Sequence, residues 1–138
     1  MADISPKVER NMALLDENET VLAAAAVMVE RYIGSVVVTR ASEVKGIFTE
    51  RDLIRVVAQG RDPAGIQLQE VMRTDLLSVG PNESVDRCME LMRANRCRHL
   101  LVFESGKLAG IVSLRDLAAL MLEEKAALVE ELTKYITS

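Results

Sequence analysis

The chain has 138 residues, of which 49% are apolar, 28% charged and 3% aromatic, and its formal net charge at pH 7 is −4. This length suits one compact domain or two small half-domains, and the composition is that of an ordinary globular protein with an aliphatic core. The negative charge argues against electrostatic binding of nucleic acid by the whole molecule, because phosphate binding needs a positive surface.

Membrane, secretory and metal-binding classes find little support in the sequence. The longest apolar run, residues 21–29, is far shorter than the roughly 20 residues of a membrane-spanning helix. The first eleven residues lack the apolar segment of a signal peptide, so we expect a cytoplasmic protein with no membrane partner. Cys88, Cys97 and the single histidine, His99, offer too few ligands for zinc. We predict no metal site and two reduced cysteines.

The chain contains an internal repeat. Residues 18–53 align without a gap with residues 82–117 at a shift of 64, and ten of the 36 positions are identical. Unrelated sequences of average composition would match at about two. The identical pairs are Asn18/Asn82, Glu19/Glu83, Val21/Val85, Met28/Met92, Val38/Val102, Gly46/Gly110, Ile47/Ile111, Arg51/Arg115, Asp52/Asp116 and Leu53/Leu117.

The same elements are predicted in chain order in both copies. A leading strand at 14–15 (76–79 in the second copy) precedes a helix that Thr20 or Ser84 can cap. Strands follow at 36–39 and 44–48 (100–103 and 108–112), each pair joined by a turn of small and polar residues. A second helix begins after Thr49 and after Ser113. The predicted fold class is therefore α/β (α+β), with the order β-α-β-β-α twice.

The predicted boundaries place the first repeat at 6–59, a linker at 60–67, the second repeat at 68–124 and a C-terminal helical extension at 125–138. Gly60, Pro63 and Gly65 indicate the linker. The extension carries an apolar stripe that needs a partner surface, either on its own module or on a second chain. The stripe consists of Leu122, Ala126, Val129, Leu132 and Ile136.

The sharpest motif is G-I-F-T-E-R-D-L at 46–53, repeated as G-I-V-S-L-R-D-L at 110–117. A capping box explains it structurally. The hydroxyl of Thr49 or Ser113 can cap the first turn of the helix, and the carboxylate of Asp52 or Asp116 can reach back to the backbone of that threonine or serine. The functional interpretation uses the same chemistry. A helix N-terminus can bind phosphate, and an aspartate there can accept from ribose hydroxyls.

The repeated unit with this motif resembles the cystathionine-β-synthase (CBS) domain over about residues 6–124. The resemblance implies two repeats docked with pseudo-twofold symmetry into one module, which often forms a flat homodimer. It also implies an adenosine-containing ligand in the cleft between the repeats. By position, Thr49 and Asp52 would contact ribose and phosphate at one site, and Ser113 and Asp116 at the other.

Further site residues follow from the same resemblance. Family members often carry basic residues before the middle strand, and Arg98 and His99 match, whereas the first copy has Gly34 and Ser35. We therefore predict that Arg98→Ala weakens nucleotide binding more than Gly34→Ala. The family often has proline where this chain has Val37 and Leu101. The adenine wall implied for the two sites consists of Val36, Val37, Leu100 and Leu101, and possible phosphate contacts are Arg51 and Arg115.

The function implied is a regulatory or sensor module that binds AMP, ADP, ATP or S-adenosylmethionine and acts on an unidentified protein partner in trans. No obligatory cofactor is expected. The alternative is a ligand-independent dimerisation or scaffold module. We predict no enzyme activity and no catalytic residue, because the sequence has no Walker loop, metal cluster or catalytic triad. Nucleic acid is an unlikely partner on charge.

Overall fold

The computed structural model describes residues 2–137, which form two compact units. One unit consists of residues 11–76 and is called the first-repeat unit. The other, the second-repeat unit, consists of the residues up to Arg10 together with those from Leu77 onward. The units therefore do not follow the repeat boundaries along the chain, because the leading residues of each repeat belong to the unit of the other. The predicted linker and extension boundaries stay predictions.

The first-repeat unit is a three-stranded sheet with helices. Its elements are β1 (Leu14–Asp16), α1 (Val21–Arg31), β2 (Ser35–Arg40), β3 (Glu43–Thr49), α2 (Glu50–Ala58), a 3₁₀ turn (Pro63–Gly65) and the short α3 (Leu68–Val71). The strand order is β1-β2-β3, with β1 and β2 parallel and β2 and β3 antiparallel.

The second-repeat unit repeats this order. It contains β4 (Ser78–Val79), α4 (Val85–Asn95), β5 (His99–Glu104), β6 (Lys107–Ser113) and α5 (Leu114–Thr137), with a 3₁₀ turn at Ser5–Lys7. Its strand order is β4-β5-β6, with the same parallel and antiparallel pairings. The mixed α/β class and the doubled β-α-β-β-α order are thereby confirmed.

Each unit has its own aliphatic core, and α4 shows how the sequence builds it. Val85, Cys88 and Met92 are buried at helical spacing, while Met89 on the stripe edge is only partly buried. In α1 the positions equivalent to the first three hold Val21, Ala24 and Met28, which are buried as well. The side chains that complete the first core include Val36, Val38, Phe48, Val56 and Leu68, and those that complete the second include Ile4, Leu100, Val102, Val112 and Leu117.

The leading residues of the two repeats are exchanged between the sheets. The amide of Ile47 in β3 donates to the carbonyl oxygen of Arg73 at 3.0 Å, and the amide of Arg73 donates back at 2.9 Å. In the other unit, Ile111 of β6 and Glu9 form the same reciprocal pair at 3.0 and 2.9 Å. Glu9 and Arg73 are 64 residues apart and therefore occupy equivalent positions in the two repeats. Each repeat's leading segment thus covers the outer edge of the other repeat's hairpin.

This exchange explains the glycine that opens each motif. A Cβ placed on Gly46 would lie 2.8 Å from the carbonyl oxygen of Arg73, and one on Gly110 would lie 2.8 Å from that of Glu9. Side chains do not tolerate such approaches to backbone atoms. The leading segments can therefore reach the sheets only where these positions lack a side chain.

The last helix, α5, extends beyond the core of its unit. Leu117 and Leu120 are buried near its start, whereas every described side chain from Leu122 onward is exposed. Within residues 2–137, the apolar stripe of the extension therefore does not pack on its own module, which was one of the two alternatives. Packing on a second chain stays a prediction. No helix in the described range is long and apolar enough to cross a membrane.

Candidate functional site

The turn from β3 into α2 forms the first candidate half-site. The Thr49 hydroxyl accepts a hydrogen bond from the amide of Asp52 at 3.4 Å. In return, Oδ2 of Asp52 accepts from the Thr49 amide at 2.9 Å and from the Thr49 hydroxyl at 3.0 Å. This is the predicted capping box, and it holds the carboxylate of Asp52 at the positive end of the helix.

The turn from β6 into α5 has the same geometry. The amide of Asp116 donates to the Ser113 hydroxyl oxygen at 3.1 Å. Oδ2 of Asp116 accepts from the Ser113 amide at 3.0 Å and from its hydroxyl at 2.8 Å. Both aspartates are therefore structural caps, and only their second oxygen, Oδ1, can serve a ligand without breaking the cap.

The second carboxylate oxygen of the aspartate, Oδ1, has different hydrogen-bond partners in the two turns. Oδ1 of Asp52 accepts from the Arg55 guanidinium at 3.0 Å, in an ion pair between residues three apart on α2. The residue equivalent to Arg55 in the second copy is Ala119. Within residues 2–137, Oδ1 of Asp116 has no hydrogen-bond or ion-pair partner. The carboxylate of Asp116 can therefore accept from a ligand hydroxyl directly.

The strand that precedes each motif brings further predicted residues to the turn. His99 lies opposite Ser113 in the β5–β6 ladder, and the amide of Leu114 donates to the carbonyl oxygen of Arg98 at 2.8 Å. The structure thus places Arg98, His99, Ser113 and Asp116 at one turn of the second-repeat unit. The Arg98 side chain is exposed and has no ion-pair partner in the part of the chain that the structure describes.

The corresponding corner of the first-repeat unit carries the opposite charge. The amide of Glu50 donates to the carbonyl oxygen of Gly34 at 3.0 Å, and a Cβ on Gly34 would collide with Oε1 of Glu50. The carboxylate of Glu50 therefore lies beside Gly34. The second copy has Arg98 in place of Gly34 and Leu114 in place of Glu50.

Glu50 and Arg55 were not among the predicted site residues. Glu50 lies in the aligned copies at a position that is not identical, next to the identical Arg51, and Arg55 lies two residues beyond the end of the aligned segment. A comparison of charges between the copies would have pointed to them. Arg51 and Arg115, the possible phosphate contacts, are both exposed on the first turn of their helices, and their role stays a prediction.

The predicted adenine wall divides between two faces of the sheets. Val36 and Leu100 belong to the hydrophobic cores of their units. Because neighbouring residues of a strand point to opposite faces, Val37 and Leu101 lie on the other face of β2 and β5. Contact of these residues with adenine stays a prediction. Val37 and Leu101 are better placed for it than Val36 and Leu100, whose side chains are used in the cores.

The described residues offer no metal site, and one of the two thiols, Cys88, is unreactive. No group of three or more potential metal ligands occurs within residues 2–137. Cys88 and Cys97 are both unbridged, and Cys88 is buried. Burial raises the pKa of the Cys88 thiol to about 11, so this cysteine is not a nucleophile at neutral pH.

Comparison with known proteins identifies the repeat. A family model described as CBS domain matches residues 2–59 and again residues 68–123. The chain is 33% identical over 128 residues to the CBS domain-containing protein YhcV of Bacillus subtilis, covering 92% of this chain and 91% of that protein.

Solved structures show the same relationship. A putative signal-transduction protein with CBS domains from Burkholderia ambifaria superposes with a TM-score of 0.79 at 36% identity, covering 83% of this chain and 85% of that one. A hexameric CBS-CP12 protein from bloom-forming cyanobacteria superposes with a TM-score of 0.78 at 26% identity, covering 86% of this chain and 70% of that one.

Proposed function

Because the chain belongs to the CBS domain family, we propose that it is a regulatory module that binds an adenosine-containing ligand and acts on a partner protein in trans. The ligand is AMP, ADP, ATP or S-adenosylmethionine. It acts as an effector, and no obligatory cofactor or catalytic residue is involved. A ligand can regulate only through different affinities for two states of the module or its complex.

The observation that carries this proposal is the turn at Ser113 and Asp116. Its helix start has positive potential suited to phosphate, and Oδ1 of Asp116 is available to accept from a ribose hydroxyl. Arg98 and His99 stand at the same turn. We assign ribose binding to Asp116, phosphate binding to Arg98 and His99, and a hydroxyl contact to Ser113.

A thermal-shift screen with millimolar AMP, ADP, ATP, NAD and S-adenosylmethionine tests the proposal. A ligand present at about 100 times its Kd stabilises the native state by about 2.7 kcal/mol, so one adenosine ligand should raise Tm by several degrees. Asp116→Asn should abolish the shift. Asparagine retains an oxygen that can accept from Ser113, which separates loss of ligand binding from loss of the cap.

Substitution of Arg98 at the second turn gives a further test. Arg98→Ala is expected to weaken nucleotide binding by about tenfold, the cost of one charge-assisted hydrogen bond to phosphate. Gly34→Ala is the matched control at the equivalent position and should change the affinity less than twofold, since only the mobile end of Glu50 has to move. Equal effects of the two substitutions in calorimetric titrations would refute the assignment of Arg98.

The second candidate function is a ligand-independent dimerisation or scaffold module. The observation that favours it is that capping alone accounts for both repeated motif pairs, Thr49–Asp52 and Ser113–Asp116. A structural neighbour is described as hexameric, which makes assembly a reasonable role for this chain too. Absence of any ligand-induced shift, together with a stable homodimer in light scattering, would support the scaffold over the sensor.

A further inference from the structure

The two strand-to-helix turns are built alike but differ at four positions that bear on phosphate binding. The first turn has Gly34, Ser35, Glu50 and Arg55, and the positions 64 residues later hold Arg98, His99, Leu114 and Ala119. The capping bonds of the two turns agree to within a few tenths of an ångström. Any difference in ligand binding between the turns must therefore come from these surrounding groups.

Arg55 occupies the carboxylate oxygen that a ligand would use. Its guanidinium donates to Oδ1 of Asp52 at 3.0 Å, while Oδ2 is held by Thr49. Both oxygens of the Asp52 carboxylate are therefore already hydrogen-bonded, and the side chain is only 13% exposed. A ribose hydroxyl can bind there only after Arg55 moves away. An ion pair between helix residues three apart, with its arginine exposed, is weak, so we expect Arg55 alone to lower the affinity about twofold.

Glu50 adds a larger obstacle for an anionic ligand. Its carboxylate lies beside Gly34 at the helix start, where phosphate would be expected, and it has no ion-pair partner within residues 2–137. A phosphate there would meet a like charge at short range. The second turn instead presents the cation of Arg98 and the uncharged Leu114.

We propose that Arg55 and Glu50 close the first turn to phosphorylated ligands, so that each chain binds one nucleoside phosphate, at the turn of Ser113 and Asp116. This inference rests on the proposed function and adds the number of sites and the residues that set it. The first turn is a latent site, closed by side chains and not by its backbone.

Isothermal titration of the full chain with ATP measures the number of sites. We expect one ATP per chain. Asp116→Asn should weaken binding at least tenfold, whereas Asp52→Asn should change it less than twofold. Each asparagine preserves the cap, and circular dichroism and Tm without ligand verify that both variants fold.

Exchange of the four side chains between the copies tests whether they set the number of ligand sites. The variant Gly34→Arg/Ser35→His/Glu50→Leu/Arg55→Ala gives the first turn these side chains of the second, and it should bind two ATP per chain. The reverse variant, Arg98→Gly/His99→Ser/Leu114→Glu/Ala119→Arg, should bind none. Arg55→Ala alone should raise or preserve affinity. A loss on Arg55→Ala would show that Arg55 binds phosphate itself, which overturns its closing role.

The outcomes separate this inference from the proposal on which it rests. Two ATP per chain in the unchanged protein, or equal losses in Asp52→Asn and Asp116→Asn, would overturn the closed first turn and leave nucleotide binding intact. No binding of ATP or any other adenosine ligand by the unchanged protein or the exchanged variant would overturn the proposed function as well.

Discussion

At the scale of single residues, the clearest departure from the repeat is the ion pair of Glu17 and Arg40. Glu17 is only 6% exposed and follows β1, where its amide donates to the carbonyl oxygen of Thr39 at 2.9 Å. The guanidinium of Arg40 pairs with its carboxylate, and this contact raises the pKa of Arg40. The second copy has Pro81 and Glu104 at these positions, so only the first-repeat unit contains this pair.

Arg40→Ala should destabilise the protein, because it leaves the buried Glu17 carboxylate without its partner. Urea unfolding measures the change. Lys45→Ala is the matched control, since its partner Glu43 is far more exposed than Glu17, and it should cost less than about 0.5 kcal/mol. Similar losses in the two variants would mean that burial of Glu17 is unimportant.

The two thiols should react at different rates. Burial raises the pKa of Cys88 to about 11, so a disulfide reagent at pH 8 should modify Cys97 in the native protein and Cys88 only after unfolding. Cys97→Ser should remove the native reaction. Because the Cys88 pKa lies above its unfolded value, the thiol contributes stability below about pH 9 that is lost as the pH rises toward 11. Fast modification of Cys88 in the native Cys97→Ser variant would contradict its burial.

At the scale of elements, the two hairpins show what the copies share and where they differ. Both have two-residue loops, Ala41–Ser42 between Arg40 and Glu43, and Ser105–Gly106 between Glu104 and Lys107. All four loop residues have positive φ, at 50°, 68°, 52° and 78° in chain order, as type I′ turns require. The second loop meets the requirement for positive φ with a glycine at its last position. The first loop instead holds two side chains in the left-handed region.

Ser42→Gly should therefore stabilise the protein. Relief of left-handed strain is worth about 1–2 kcal/mol, and the added freedom of glycine in the unfolded chain costs about 0.5–1 kcal/mol. The expected net gain is about 0.5–1 kcal/mol, measured as a rise in the urea midpoint. The matched change Gly106→Ser should destabilise by a similar amount. A fall in stability on Ser42→Gly would mean that the Ser42 side chain makes a contact worth more than the strain.

At the scale of the whole molecule, the exchanged leading segments make each unit depend on residues from the other repeat. Ile4 is fully buried in the core of the second-repeat unit, and Leu68, which lies 64 residues later, is fully buried in the core of the first. The amide of Ile4 donates to the carbonyl oxygen of Glu83 at 3.0 Å. A change near the start of the chain should therefore affect the unit that is distant in sequence.

Ile4→Ala should cost about 2–5 kcal/mol and speed hydrogen exchange at the Ile111 amide, which bonds to Glu9. Leu68→Ala is the matched variant, and it should speed exchange at the Ile47 amide, which bonds to Arg73. Amide exchange followed by NMR distinguishes local opening of the two units. Faster exchange at Ile47 in Ile4→Ala, with Ile111 unchanged, would contradict the exchanged arrangement.

Much of this architecture could be predicted from the sequence because its signals are local or repeated. The strands, the hairpins and the helix starts after Thr49 and Ser113 follow from β-branched runs, turn residues and capping boxes, each set within a few residues of chain. The 64-residue repeat made each of these signals appear twice. The candidate site residues Ser113 and Asp116 belong to the same class, because their geometry is that of one helix turn.

The tertiary structure decided what depends on residues far apart in the chain or on the direction of a side chain. Gly46 and Gly110 were visible in the motif, but only the approach of Arg73 and Glu9 shows why a side chain is excluded there. The exchange of leading segments, the exposure of the α5 stripe and the position of Glu50 beside Gly34 are likewise tertiary. Local patterns determine which elements form, whereas packing across the sheets determines which segment completes each core.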